Sequence, residues 1–301
     1  MSEKLRRTLR LKSPQYIFAI CVLAPVVAIY TIIRIIPIGG TIFLSFHKWD
    51  LINPAKPFIG LRNYIKLIHD ELFIIAIRNT FTLAFLSIVI SLGISLGLAL
   101  ILNRRKMRFA PLYELIYFLP FVISWVPLAV IWKWMYDPTY GIFNYIIGLV
   151  GIEPQGWLVN PKLSLYSIII LVVWRNLGLD TVLFSVGLKN IPAEYFDAAI
   201  VDGASGFKLF KHIIFPLLKP ITLYLFVMST ILNFAIFAPV YVMTIGSQGA
   251  PGNAVRVLVY DLYENGFRYL HMGYAAAEAT LLLLIVLILT LVEFGSMKYE
   301  G

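Results

Sequence analysis

One cysteine, Cys21, is all the chain contains, so no disulfide can close within it and no thiolate cluster can hold a metal. Charge is scarce as well. Only 14% of the 301 residues are Asp, Glu, Lys or Arg, while 60% are hydrophobic and the mean hydropathy is +0.84. A water-soluble fold of that size would lack the polar groups to cover its surface, so the composition places the chain in a membrane. Acids are the scarcer sign, 16 against 25 bases, for a net charge of +9. The bases gather beside apolar runs and not on a soluble face, which makes them topology determinants facing lipid headgroups, with no nucleic-acid partner. His47, His69, His212 and His271 fall at or beyond the ends of apolar runs, and neither H-E-x-x-H nor paired intramembrane carboxylates appear. That argues against a membrane-embedded enzyme.

What is present is apolar length. A helix crossing about 30 Å of hydrocarbon needs about 20 apolar residues. By that measure six spans are expected: Tyr16 to Phe46, Phe73 to Leu102, Pro111 to Tyr136, Leu163 to Leu188, Leu217 to Ile245 and Met272 to Met297. The fold class is therefore an all-α integral membrane protein, one transmembrane domain over 1–301 with a tail at 1–15 and a polar loop at 189–216. The basic opening MSEKLRRTLRLKSPQ leads into the first run without a small-residue cleavage site, so an uncleaved span is expected. Pro25, Pro37, Gly39 and Gly40 predict kinks in the first span, Pro120 and Pro127 in the third, and Pro239 in the fifth.

Lys4, Arg6, Arg7, Arg10 and Lys12, then Arg104, Arg105, Lys106 and Arg108, then Lys189, Lys208, Lys211 and Lys219 share one side of a six-span chain. The positive-inside rule makes that side cytoplasmic, both termini included, in the inner cell membrane. Arg34, Arg78 and Lys133 lie near span ends, where a long side chain reaches the interface. Arg175 and Glu278 lie deeper, where a charge pairs with a neighbouring helix or faces a polar cavity. Gly93 and Gly97, four apart in GISLG, predict a face that a neighbouring backbone approaches closely.

The loop EYFDAAIVDGASGFKLFKHIIFP, Glu194 to Pro216, reads as two short amphipathic helices at an elbow. Pro192 and Glu194 suit the first turn of one helix, Gly203 allows the turn, and Ser205 is expected to cap the second. The first helix carries Glu194, Asp197 and Asp202 and no cation, so an anionic leaflet repels it and it should dock on protein.

This loop resembles the cytoplasmic signature of permease subunits of binding-protein-dependent ABC importers: E-A-A, three residues, G, nine residues, I, one residue, L-P. The match falls on Asp197, Ala198, Ala199, Gly203, Ile213 and Pro216; Asp197 replaces Glu and Phe215 replaces Leu. The strings FIGLRNY, RNT, FLPFVIS, IWKWMYDPTYGIFN and MGYAAA are similar to the carbohydrate branch, the F-type subunit of the maltose transporter in particular. Where that branch has T-x-G-G-P, this chain has TIGSQGAP, Thr244 to Pro251.

The resemblance implies a type I importer architecture with the coupling helix between spans four and five. It also implies a second homologous permease, two ATPase subunits and an extracytoplasmic solute-binding protein as partners. No cofactor is expected on this chain, since G-x-x-x-x-G-K-[ST] is missing and ATP with Mg would sit on the ATPases. Asp197, Ala198, Ala199, Asp202 and Gly203 are the expected ATPase-docking residues. A midplane sugar cavity is expected to draw on Trp174, Arg175, Asn176, Asn233, Phe234, Phe237, Tyr241 and Glu278. Asn233, Phe237 and Tyr241, four apart, would share one helix face. The alternative is an ion-gradient-driven secondary transporter of small polar solutes, which would not need an acidic docking helix.

Overall fold

The computed structural model describes residues 3–103, 107, 109–201, 205–244 and 253–296. Among these residues the chain is helical, with a single isolated bridge between His47 and Phe58 in place of any strand. Its helices are α1 (Glu3–Tyr30), α2 (Ile36–Ser45), α3 (Arg62–Ile68), α4 (Glu71–Leu102), α5 (Ala110–Val122), α6 (Trp125–Met135), α7 (Ile142–Gly148), α8 (Ser164–Lys189), α9 (Ala193–Val201), α10 (Phe207–Leu209), α11 (Phe215–Leu217), α12 (Lys219–Phe234), α13 (Ala238–Thr244), α14 (Leu258–Tyr263) and α15 (Met272–Ser296). Among the described residues four helices are long and apolar enough to cross a membrane: Tyr16–Ser45, α4, α8 and α15. Two pairs pass the same test only when joined, α5 with α6, bent by 98°, and Phe207–Leu217 with α12, bent by 66°; counting each pair as one span gives up to six.

Four helix deformations stand in register with a proline four residues on. A helical proline lacks the N–H that would bond to the carbonyl four residues earlier, and its ring crowds that carbonyl. Before Pro37 and Pro216 the helix answers with a π turn centred on that residue, Thr31–Ile35 around Ile33 and Phe210–Ile214 around His212. Before Pro127 it breaks there instead, with Ile123 extended at ψ 133°. Before Pro239 it breaks at Ala235, the C-cap of α12. The third span is thus two helices, not one kinked helix. Pro25, Gly39, Gly40 and Pro120, also expected to kink, lie within continuous helix.

The chain forms two compact units, Met1–Ile65 with Asn265–Thr280, and Lys66–Glu264 with Leu281–Gly301. In the first, the most apolar 18-residue window of Tyr16–Ser45 contains no buried residue, which costs little in hydrocarbon because lipid tails are as apolar as leucine. The same unit holds a polar knot: the Asn63 side-chain amide donates to the carbonyls of Ser45, His47 and Gly273 at 2.8, 3.1 and 3.1 Å. A Cβ on Gly273 would collide with the His47 carbonyl, so only glycine fits.

In the second unit one apolar cluster joins α6, the first half of α8, α13 and α14, and another joins the far ends of α4 and α8 to α12. The face of α4 against α8 is a serine row, with Ser87, Ser91 and Ser95 all buried and the Ser95 hydroxyl donating to the Leu177 carbonyl at 3.1 Å. Gly93 and Gly97 lie off that row, and a Cβ on either would meet nothing within 4 Å. The close-approach face expected there is supplied instead by Gly178, whose absent Cβ makes room for the Tyr117 carbonyl of α5.

Candidate functional site

At the C-terminal end of α8 the chain turns into the elbow. Pro192 opens the first turn of α9, its carbonyl accepting from the Tyr195 N–H at 3.2 Å. Helical periodicity then sorts the side chains. Phe196 packs into the cluster of Phe184, Leu188, Ile214 and Leu218, and Ala199 is buried in its own chain at 5% exposed. Glu194, Asp197 and Ala198 face outward beside Val201. Asp202 and Gly203 lie outside the described residues, as do Arg104, Arg105, Lys106, Arg108 and most of TIGSQGAP.

The second elbow helix starts at Gly206, with φ +53°, and without a side-chain cap, so Ser205 does not have the capping role expected of it. A left-handed residue at that position favours glycine over serine. The helical run Phe207–Leu217 bends into α12 at Leu218, and Gly187 of α8 admits the Leu218 and Ile221 side chains to the bend. The elbow is therefore packed on both spans that flank it.

The polar and aromatic candidates gather at other points of the second unit. Arg175 lies at the break between α5 and α6, donating from Nη2 to the Phe121 carbonyl at 3.0 Å, with its guanidinium 4.1 Å from the Trp125 ring centre and 4.8 Å from that of Phe121. Trp174 stands against Trp132 at 5.2 Å, and Asn176 is half-buried. Phe237 and Tyr241 stack at 5.1 Å and both contact Tyr263, at 5.1 and 5.3 Å.

Asn233 does not share their helix face as the four-residue spacing predicts, because the proline break at Ala235 puts it on α12 and Tyr241 on α13. Its amide nitrogen donates to the Ser229 carbonyl at 2.8 Å, while its buried oxygen has no protein partner. Phe234 is core, edge-on to Phe81 at 5.0 Å. Glu278 belongs to the first unit, where it is 1% exposed and accepts from the Asn265 amide at 2.8 Å.

Asp180, Asp261 and Glu264 are buried acids that the sequence analysis does not single out. Asp180 on α8 is 3% exposed and meets the Ser91 hydroxyl; a lone carboxylate inside an apolar run was the available signal.

Three of the five family-like strings, FIGLRNY, RNT and IWKWMYDPTYGIFN, have a common physical content. Asn79 of RNT donates to the carbonyls of Asn253, Ala254 and Arg256 at 3.3, 3.1 and 3.0 Å, and the Thr80 hydroxyl accepts from the Leu258 N–H at 2.9 Å. Asn144, ending IWKWMYDPTYGIFN, donates to the carbonyls of Asp137, Pro138 and Gln155. With Asn63 of FIGLRNY, three of the five strings supply one buried amide that satisfies three carbonyls, while FLPFVIS and MGYAAA contain no amide side chain.

Residues 90–294 match the family model described as binding-protein-dependent transport system inner membrane component. A probable ABC transporter permease protein of Pyrococcus horikoshii is 34% identical, covering 96% of this chain and 98% of the relative. The trehalose/maltose transport system permease protein MalF of Thermococcus litoralis is 31% identical, with 95% of both chains covered. Two crystal structures of a bacterial alginate ABC transporter, one in complex with an alginate pentasaccharide-bound periplasmic protein, superpose at TM-score 0.78. Identity is 21% and 20%, over 98% and 97% of this chain and 98% and 96% of those chains. With its helical architecture of four to six candidate spans and its elbow loop, the chain belongs to the binding-protein-dependent ABC importer permeases, the inner membrane components of these transport systems.

Proposed function

We propose that this permease forms the path for a sugar, an oligosaccharide or sugar derivative, handed over by a solute-binding protein, and that ATP hydrolysis on two partner ATPases drives it. A second, homologous permease completes the path. The observation that carries the reading is the elbow: α9 turns Glu194, Asp197 and Ala198 outward while Phe196 fastens it to the ends of α8 and α12. In this reading Asp197 pairs with a cation on an ATPase, and closure of the ATPases moves α9 and the spans it rests on as one body. Ala199, covered by its own chain, serves by letting α9 seat closely, and Asp202 and Gly203 extend the docking surface.

ATP and the loaded binding protein must both prefer the outward-facing form, since a ligand shifts such an equilibrium only by its differential affinity. ATP and Mg bind the partners and not this chain. The elbow then faces the cytoplasm, together with both termini.

The sugar reading draws support from the carbohydrate names of the relatives and from the aromatic stack of Phe237 and Tyr241. Aromatic faces suit the apolar faces of a pyranose, and the unpartnered Asn233 oxygen suits a hydroxyl. The secondary-transporter alternative gains nothing from the family match. Uptake in proteoliposomes separates the two: collapse on ATP depletion supports the importer, and collapse with the ion gradient alone refutes it.

A further inference from the structure

Residues 138–152, between α6 and α8, contain no Asp, Glu, Lys or Arg. They are nevertheless a built structure. Asn144 holds them from inside: its amide nitrogen meets three carbonyls, and its oxygen accepts from the Gln155 N–H at 2.9 Å and the Trp157 indole at 2.8 Å. Phe143 on the same inner face of α7 lies 5.4 Å from Trp132 and 4.9 Å from Tyr136. The Tyr136 hydroxyl in turn donates to the Ser167 carbonyl at 2.9 Å, fixing the start of the segment to the first turn of α8. The segment is therefore held at the end of α8 opposite the elbow, the level at which that span meets the membrane surface.

Its other face is apolar and uncovered. Tyr140, Ile142, Tyr145, Ile146, Leu149 and Val150 are between 49% and 73% exposed. Positions 142, 145 and 146 of α7 and its C-cap Leu149, which keeps helical backbone angles, form one stripe. An exposed apolar patch of this kind marks an interaction surface. The spans that the segment joins also present exposed aromatics near its two ends, Trp134 at the end of α6 and Tyr166 in the first turn of α8, 62% and 51% exposed. Neutral, apolar and carrying two tyrosines at the level where aromatic belts form, the stripe matches the headgroup boundary of a bilayer.

We infer that α7 and its flanks lie in the membrane interface at the end of α8 remote from the elbow, with the stripe from Tyr140 to Val150 inserted among lipid headgroups and upper acyl chains. The inference rests on the chain's place in the membrane. It makes the segment an anchor that fixes the height of α6 and α8 in the bilayer, and leaves the binding protein to dock elsewhere.

Spin labels test it. In a Cys21→Ala background, single cysteines replace Ile146, Leu149, the loop residue Glu153 and the mid-span residue Ile288. The full chain with its partner subunits is placed in phosphatidylethanolamine–phosphatidylglycerol vesicles, and collision with oxygen and with a nickel chelate is measured. Labels at 146 and 149 are expected to favour oxygen, as at 288, while the label at 153 favours nickel. Preference for nickel at 146 and 149, lost on adding the binding protein, overturns the inference and makes the stripe a protein-docking surface. Preference for nickel that no partner removes also overturns it. Nickel access at 288 would instead show that the membrane reading itself fails.

Discussion

The Arg175 guanidinium donates to the carbonyl oxygen of Phe121 at 3.0 Å, in the last turn of α5, where the break before α6 leaves that carbonyl without its helical partner. A cation here faces the negative end of a helix dipole and satisfies an orphaned acceptor. The charge in mid-span is thus held by the broken third span. Replacing Arg175 by Ala should cost about 2 kcal/mol, the range for a charge-assisted hydrogen bond. Arg175→Lys should recover part of this, since an ammonium reaches the carbonyl but cannot lie flat over Trp125. Thermal unfolding of the purified chain in detergent checks the order wild type, Lys, Ala.

Asn79 offers a sharper case. Asn79→Ala leaves the carbonyls of Asn253, Ala254 and Arg256 without their shared donor, at a cost of about 1–3 kcal/mol for a buried group left unsatisfied. Asn79→Asp should be worse, because a carboxylate would point at carbonyl oxygens. The same thermal measurement, with hydrogen exchange at Leu258, should show the loss centred on α14.

Glycine substitutions should invert the ranking that the sequence suggests. Gly178→Ala is expected to lower the melting temperature, since the added carbon meets the Tyr117 backbone. Gly93→Ala and Gly97→Ala should leave it unchanged or raise it, Ala being favoured over Gly inside a helix by about 1 kcal/mol. Circular dichroism melts of the three variants decide the matter, and equal destabilisation by all three would contradict the packing described.

The elbow separates folding from coupling. Asp197→Lys, at an exposed position, should leave the stability of the chain within about 0.5 kcal/mol of wild type and abolish ATP-dependent uptake. Ala199→Leu should also abolish uptake with membrane insertion intact, but by unseating α9, so protease cleavage near residue 195 should rise in that variant alone. Uptake, surface expression and limited proteolysis measured together distinguish the two.

The spans, the elbow and the acid face of α9 were legible because they rest on local rules: apolar length, a short amphipathic pattern, a proline at a helix start. What the sequence could not disclose was set by partners distant in the chain. Proline positions were visible, but whether Pro37 yields a π turn and Pro127 a break depends on what surrounds the carbonyl four residues back. Gly93 and Gly97 had the right spacing for close packing, yet Ser87, Ser91 and Ser95 took the face toward α8. Arg175 was recognised as a polar group needing a partner, while the partner, a carbonyl 54 residues earlier, was not predictable. Asn233 and Tyr241 were joined by a helical period that the break at Ala235 interrupts.

The central claim is that the exposed acidic face of α9 couples an external ATPase to the spans. Its most direct test is carbohydrate uptake into proteoliposomes containing this chain, its sister permease and the ATPases, with loaded binding protein on the outside. The account predicts accumulation that requires both ATP and the binding protein and vanishes with Asp197→Lys. Accumulation by this chain alone, driven by an ion gradient and indifferent to Asp197, would contradict it.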